Sequence, residues 1–206
     1  MSQSVKSDTV RRTQKERKAA TVEKLINATI ATIVELGYHK TSLSEICKRA
    51  EVSQGGLFRH FPSRKALIIA AAEEINVRLR AEFIHGFQNR NTTDDFMRVS
   101  ISLVQKIMHS PEQSVWHELL VAARTDSELC TAITELEQKL NQQIRDFVSE
   151  LATEMALDID ESVAAALLLI RCYDGLALIK CLYDQTSEED AISNLLLIAG
   201  QSFVKK

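Results

Sequence analysis

The chain has 206 residues, 45% of them apolar and 26% charged, with six glycines and two prolines. That length holds one or two domains with a real core, and the shortage of breakers favours helices over turn-rich β structure. The formal net charge of −3 hides a division: residues 1–80 sum to +7 and residues 81–206 to −10, so attraction to polyanions is concentrated at one end. A membrane span is not expected. The most apolar segment, Val163–Leu182, is interrupted by Arg171, Asp174 and Lys180 and reads as a buried or interface helix. The N-terminus lacks the apolar core of a secretion signal, which predicts a cytoplasmic protein.

The polar segment 1–15 carries Arg11, Arg12 and Lys15, with Arg17 and Lys18 just beyond. It reads equally as a flexible arm that tracks phosphate or the minor groove and as a frayed terminus. A first helix is predicted over 16–36, with Val22, Leu25, Ile26, Thr29, Ile33 and Leu36 on one face and Gly37 as its stop. Ser42-Leu43-Ser44-Glu45 is an S-x-x-E capping box that opens a helix to about Ala50. Glu51-Val52-Ser53 breaks the pattern, and Ser53 is a natural N-cap for a further helix, Gln54–Phe61. Leu43, Ile46, Ala50, Val52, Leu57 and Phe61 are spaced to share one apolar seam. Two short helices locked by a tight turn form a helix-turn-helix, here over 42–61.

Gly55-Gly56 in the first turn of that second helix costs about 1 kcal/mol per glycine relative to alanine. Two missing side chains let something approach the backbone closely, and a helix N-terminus favours phosphate. In helix-turn-helix docking the N-terminal residues of the second helix face base edges, which makes Ser53, Gln54, Gly55, Gly56 and Arg59 candidate DNA contacts, with Ser42 at the start of the preceding helix.

Ser63, after Pro62, caps a long helix to about Gly86 that ties this head to the rest. Asn89–Thr93 is a polar break with an acidic restart at Asp94-Asp95, then a helix to about His109. Pro111 suits the first turn of a helix to about Arg124. A helix over 127–155 carries Ile133, Leu136, Leu140, Ile144, Phe147 and Leu151 at helical spacing. The final pair, about 161–184 and 188–204, is apolar on more than one face, including Val163–Leu169, Leu176–Ile179, Leu195–Ala199 and Phe203. Such surface marks an interface, and a two-fold homodimer would bury it in a four-helix arrangement.

The stretch 41–67 resembles the DNA-binding signature of the TetR family of transcriptional regulators, T-x-x-x-I-A-x-x-A-G-V-S-x-G-x-L-Y-x-H-F-x-S-K-x-x-L. Ser42, Ile46, Cys47, Ala50, Glu51, Val52, Ser53, Gly55, Leu57, Phe58, His60, Phe61, Ser63, Arg64 and Leu67 fall in register without a gap. Phe58 stands where the family has Tyr, Glu51 where it has Gly, Cys47 where it has Ala and Arg64 where it has Lys. The resemblance implies an all-α protein of about nine helices: a three-helix DNA-binding domain over 16–66 and a ligand-binding and dimerisation domain over 67–206. It adds Thr41, Phe58, His60 and Arg64 to the DNA contacts, Arg64 as a phosphate ligand. It also implies dimerisation through the last two helices, a palindromic double-stranded operator, and a small-molecule effector held among the body helices. Candidate pocket residues are Phe83, Phe87, Met97, Met108, Trp116 and Tyr173, with His117 or Arg124 to orient the ligand.

No catalytic constellation stands out, and neither a metal nor a cofactor is expected. Cys47, Cys130, Cys172 and Cys181 have no C-x-x-C spacing and read as four buried thiols. His117-Glu118 is followed by Val121 where a zincin helix needs its second histidine. The expected function is a dimeric repressor released from its operator by a small molecule. An activator, an effector-independent regulator, or a helical assembly protein without DNA affinity are the alternatives.

Overall fold

The computed structural model describes residues 13–88 and 96–204, the last four by backbone alone. These residues are all-α: α1 (Gln14–Leu36), α2 (Leu43–Ala50), α3 (Gln54–Phe58), α4 (Arg64–Gln88), α5 (Phe96–Met108), α6 (Pro111–Ala123), α7 (Ser127–Glu154), α8 (Ile159–Ile179) and α9 (Thr186–Val204). Residues 1–12 of the expected arm, the break and acidic restart expected over 89–95, and the side chain of Phe203 lie outside the described residues.

Local chemistry sets most boundaries. Thr13 and Glu16 form a reciprocal capping box, so α1 begins earlier than expected and Lys15, Arg17 and Lys18 belong to a helix. Ser42 accepts from the Glu45 N–H at 3.1 Å and Ser53 from the Gly56 N–H at 3.1 Å, as their capping roles require. Ser63 accepts from Ala66 at 3.0 Å. Helix α3 stops at Phe58, short of the expected Phe61. The N–H groups of His60 and Phe61 both turn back to the Leu57 carbonyl, at 2.9 and 3.0 Å. Phe61 is buried in the seam, and Pro62 behind it disfavours helical backbone at that position. Likewise α8 ends at Ile179, whose carbonyl accepts the Leu182 N–H of a closing turn at 2.9 Å, and α9 starts early at Thr186, whose N–H donates to Asp184 at 3.1 Å.

Three apolar clusters organise the molecule. In the head, Leu25 and Ala28 of α1, Ile46, Cys47 and Ala50 of α2, Leu57, Phe61, and Leu67 of α4 close on one another, so the seam read from the sequence is real. A central cluster joins α1 and α4 to Val115, Trp116 and Leu119 of α6 and to Leu129, Ile133 and Leu136 of α7. The third holds Ile101 and Val104 of α5 against Leu169, Tyr173 and Leu176 of α8, with α9 adding only partly buried Ile192, Leu196 and Leu197. Helix α8 is long and apolar enough to cross a membrane by length and composition. In this bundle, however, its Arg171 pairs with Glu137 of α7 and its Asp174 with His117 of α6.

The head is fixed to the body by polar bonds as well as by α4. Lys65 bridges Asp126 and Glu128 at the start of α7, at 2.9 and 2.7 Å. Glu118 of α6 accepts the Tyr38 N–H of the α1–α2 turn at 3.0 Å. The expectation of four buried thiols fails: only Cys47 is buried, Cys172 is half-buried, and Cys130 and Cys181 are exposed. Burial pushes the Cys47 thiol up, away from thiolate chemistry.

Candidate nucleic-acid interface and ligand cavity

Helix α3 stands proud of the head. Ser53, Gln54, Gly55, Phe58 and Arg59 are exposed, while Leu57 between them is fully buried and anchors the helix. Lys40, Lys48 and Arg59 are exposed and make no ion pair among the described residues; Arg49, by contrast, is engaged with Glu35. Lys40 and Lys48 were not among the expected contacts, although their charge in a basic head was signal enough. The two glycines differ. A Cβ on Gly55 would meet nothing within 4 Å, whereas on Gly56 it would come within 3.0 Å of Val52 and 3.2 Å of Ser53. Packing thus explains Gly56 and leaves Gly55 to be explained by something outside the chain. With only five residues, α3 has too little aligned backbone for its dipole to carry phosphate binding.

Two expected contacts, Thr41 and Arg64, are engaged within the head, and two more, His60 and Ser42, have part of their polar groups turned inward or engaged. Thr41 is buried, and its hydroxyl donates to the Gly37 carbonyl at 2.8 Å. Arg64 lies across the α1–α2 turn: Nε donates to the Thr41 carbonyl at 2.5 Å, Nη2 to the Tyr38 carbonyl, and the guanidinium sits 4.6 Å from the Tyr38 ring centroid. It therefore holds the turn that aims α2, where phosphate contact was expected. His60 is half-buried with Nδ1 turned inward and unpaired, which leaves at most one ring nitrogen to face outward. Ser42 is exposed, and its hydroxyl accepts as the α2 cap just as that of Ser53 does for α3, which leaves its O–H free to donate outward.

In the body a cavity of about 290 Å³ runs among α4 to α9. Phe83, Phe87, Met97, Met108 and Trp116 line it as expected, and so do Leu140, Ile144, Phe147 and Leu151. The periodic stripe of α7 thus starts in the core at Ile133 and Leu136 and continues into an open space. Three expected residues do not line it. Tyr173 is fully buried in the third cluster, with its hydroxyl 2.5 Å from Ser193; Arg124 is exposed past the end of α6; and His117 sits behind the wall, its Nε2 2.7 Å from Asp174. Among the polar groups lining the cavity, Gln113, Glu137, Arg171 and Asp174 meet at one end. The signal available for the last two was a pair of charges inside an apolar helix. Burial works to raise the Asp174 carboxyl, but bonds from His117 and Gln113 and the Arg171 charge outweigh it and hold it below the usual value.

Residues 25–71 match the sequence profile of the bacterial regulatory proteins of the tetR family. An uncharacterized HTH-type transcriptional regulator of Mycobacterium tuberculosis is 31% identical over 192 residues, covering 92% of this chain and 98% of that protein. The chain belongs to the TetR family. It is a DNA-binding transcriptional regulator. The HTH-type transcriptional regulator CymR of Pseudomonas putida is 24% identical over 197 residues, spanning 95% of this chain and 97% of that protein. Among solved structures, a transcriptional regulator from Rhodococcus sp. Rha1 superposes with a TM-score of 0.68 at 22% identity, covering 89% of this chain and 96% of the other. FadR from Bacillus subtilis, solved in complex with stearoyl-CoA, does so at 0.62 and 18% identity, covering 85% and 97%. TetR regulators bind DNA, dimerise and bind small molecules.

Within the TetR signature two departures fall at places where the structure shows their consequence. Glu51, at the position of the family's glycine, caps α2 in the left-handed region at φ 55°, ψ 40°, which glycine adopts freely and a carboxylate side chain does not. Phe58, at the position of the family's tyrosine, is half-exposed, so its ring points where a hydroxyl would face a partner.

Proposed function

We propose that the protein is a homodimeric repressor that binds a palindromic operator through two α3 helices and releases it when an apolar small molecule enters the cavity. Such a regulator works where the chromosome is, in the cytoplasm. The DNA-facing set is Ser42, Ser53, Gln54, Gly55, Phe58 and Arg59, flanked by the phosphate-reaching Lys40 and Lys48. The unit that reads DNA runs from α1 through the first turn of α4, and the remainder holds ligand and partner.

The dimer reading rests on spacing. Ala164, Leu168, Gly175 and Leu178 are exposed along one stripe of α8, as are Ala191, Leu195 and Ile198 along α9. These steps of three, four and seven form the seam of helices that pack at shallow angles. A Cβ on Gly175 would meet nothing within 4 Å, so a second helix can come close there.

The observation that carries the repressor reading is a continuous bonded path from cavity to head. Asp174 lines the cavity and accepts from Gln113 at 3.0 Å and pairs with His117 at 2.7 Å, both on α6. The next residue of α6, Glu118, holds the Tyr38 N–H, and Arg64 holds the Tyr38 carbonyl. A ligand that displaces α8 from α6 therefore shifts the turn that aims α2 and α3, and it weakens DNA binding by its differential affinity for the two states. That a structural neighbour holds stearoyl-CoA supports a long apolar occupant for this fold.

The test is fluorescence anisotropy of the full-length protein on the DNA upstream of its own gene. Binding should be sequence-specific and should fall with salt at a slope of about −0.9 per phosphate contact. Sequence-independent affinity at every salt concentration would sink the repressor reading in favour of an assembly protein. Native mass spectrometry of the purified dimer then separates an effector-free regulator from one that carries a bound small molecule.

A further inference from the structure

The cavity has a direction. Its lining runs along α7 from Glu137 to Met155 and along α8 from Asp158 to Asp174, spans of about 27 and 24 Å at 1.5 Å per residue. Most of that length is walled by Phe83, Phe87, Ile144, Phe147 and Leu169. Polar groups gather at the end where buried Gln113, half-buried Glu137 and Asp174, and exposed Arg171 meet. There the Arg171 guanidinium lies between two carboxylates: Nη2 donates to Glu137 Oε1, and Nη1 is 3.5 Å from Asp174 Oδ2. Glu137 Oε1 also accepts from Asn141 Nδ2 at 3.2 Å. Asp174 Oδ1 is engaged by Gln113 and His117. Glu137 Oε2 is the exception, being buried with no hydrogen-bond partner among the described residues.

What this end lacks is therefore a donor. A buried carboxylate oxygen left unpaired is costly, and an occupant that supplies an N–H or O–H removes that cost. A carboxylate or phosphate head would instead set acceptor against acceptor beside two carboxylates that share one guanidinium. The lining cation without an ion pair among the described residues, Arg80, is exposed, and an exposed pair contributes little. At the opposite end the lining charges are Asp158 and Glu161, which offer an anion nothing.

We infer that the effector is a linear amphiphile whose head group donates hydrogen bonds, an alcohol, amide or amine on an alkyl chain, with that head against Glu137. This rests on the cavity being the effector site, and the test separates the two. Trp116 is the chain's only tryptophan and is a buried lining residue, so its emission reports occupancy. The full-length protein is titrated, below micelle formation, with decanol, decylammonium and decanoate. Decanol and decylammonium should shift the emission at concentrations about tenfold or more below decanoate, the effect of one net hydrogen bond. Glu137→Gln, which removes the charge and keeps an acceptor, should shrink the lead of decylammonium over decanoate more than that of decanol. Decanoate binding as well as the other two, and weakening in Arg80→Ala, would overturn the head-group assignment while leaving the cavity reading intact. No shift with any probe, or shifts unchanged in the cavity-filling Ala166→Phe, would overturn the cavity reading and the inference with it.

Discussion

The head and the body of this molecule are finished to different degrees. In the head each helix start is capped by its own side chain, at Thr13, Ser42, Ser53 and Ser63, and the apolar seam closes on itself around fully buried Leu57. In the body, α8 and α9 leave Leu168, Leu178, Leu195 and Ile198 more than half exposed, and a cavity interrupts the stripe of α7. A head that is complete alone needs only to be aimed. A body that is incomplete alone is a place for partners, here a second copy and a ligand, and the two regions are joined by α4, by the central cluster that packs α1 on α6 and α7, by Lys65 and by the Glu118–Tyr38 bond.

The largest effect is expected where the body is unfinished. Leu195→Arg places a charge in the α9 seam, and sedimentation should show monomers in place of dimers. Operator affinity should then fall by about two orders of magnitude or more, because the two heads no longer bind as one ligand. Retention of the dimer would mean that this exposed face is not the interface. The next effect belongs to the head. Leu57→Ala removes a fully buried side chain and should destabilise by about 2–5 kcal/mol. A body that melts at its former temperature while the head unfolds earlier would confirm that the two are separately closed; one shared, lowered transition would break the comparison.

Arg64→Ala tests the joint. Loss of two charge-assisted bonds to the carbonyls of Tyr38 and Thr41 should cost about 1.5–3 kcal/mol and weaken binding to every DNA sequence. The slope of log affinity against log salt should stay the same, since Arg64 positions the turn and does not neutralise a phosphate. A slope reduced by about 1 would restore the phosphate role.

The head was legible because its instructions are local. Caps lie three residues from their targets, the seam repeats at helical spacing, and the turn residues Glu51-Val52-Ser53 sit between. What was missed there depends on distant chain: Arg64 reads as a free cation until the fold brings the Tyr38 and Thr41 carbonyls, 26 and 23 residues away, under its guanidinium. Residues of the α7 stripe were legible as apolar, but sequence spacing does not say where a core ends and a cavity begins. Tyr173 and Phe147 look alike on paper; one is clamped to Ser193 of α9 and the other faces open space. Arg171 and Asp174 were visible as charges in an apolar helix, yet their partners on α6 and α7 come only from packing.

The smallest effect separates folding from recognition within the head itself. Gly55 has room for a side chain, so Gly55→Ala should stabilise α3 by about 0.5–1 kcal/mol without displacing any neighbour. Glu51→Gly should stabilise by a similar amount, about 1 kcal/mol, by relieving left-handed backbone at the α2 cap. In thermal melts the two substitutions look alike. On DNA they should diverge, because residue 51 terminates a helix whereas residue 55 faces outward beside Gln54 and Arg59. Glu51→Gly should leave sequence preference untouched and raise affinity slightly through the lost negative charge. Gly55→Ala should lower affinity for the operator more than for random DNA, since an added methyl obstructs close seating of α3 in the groove. A Gly55→Ala protein that is both more stable and equally tight on its operator would show that this glycine is not kept for DNA.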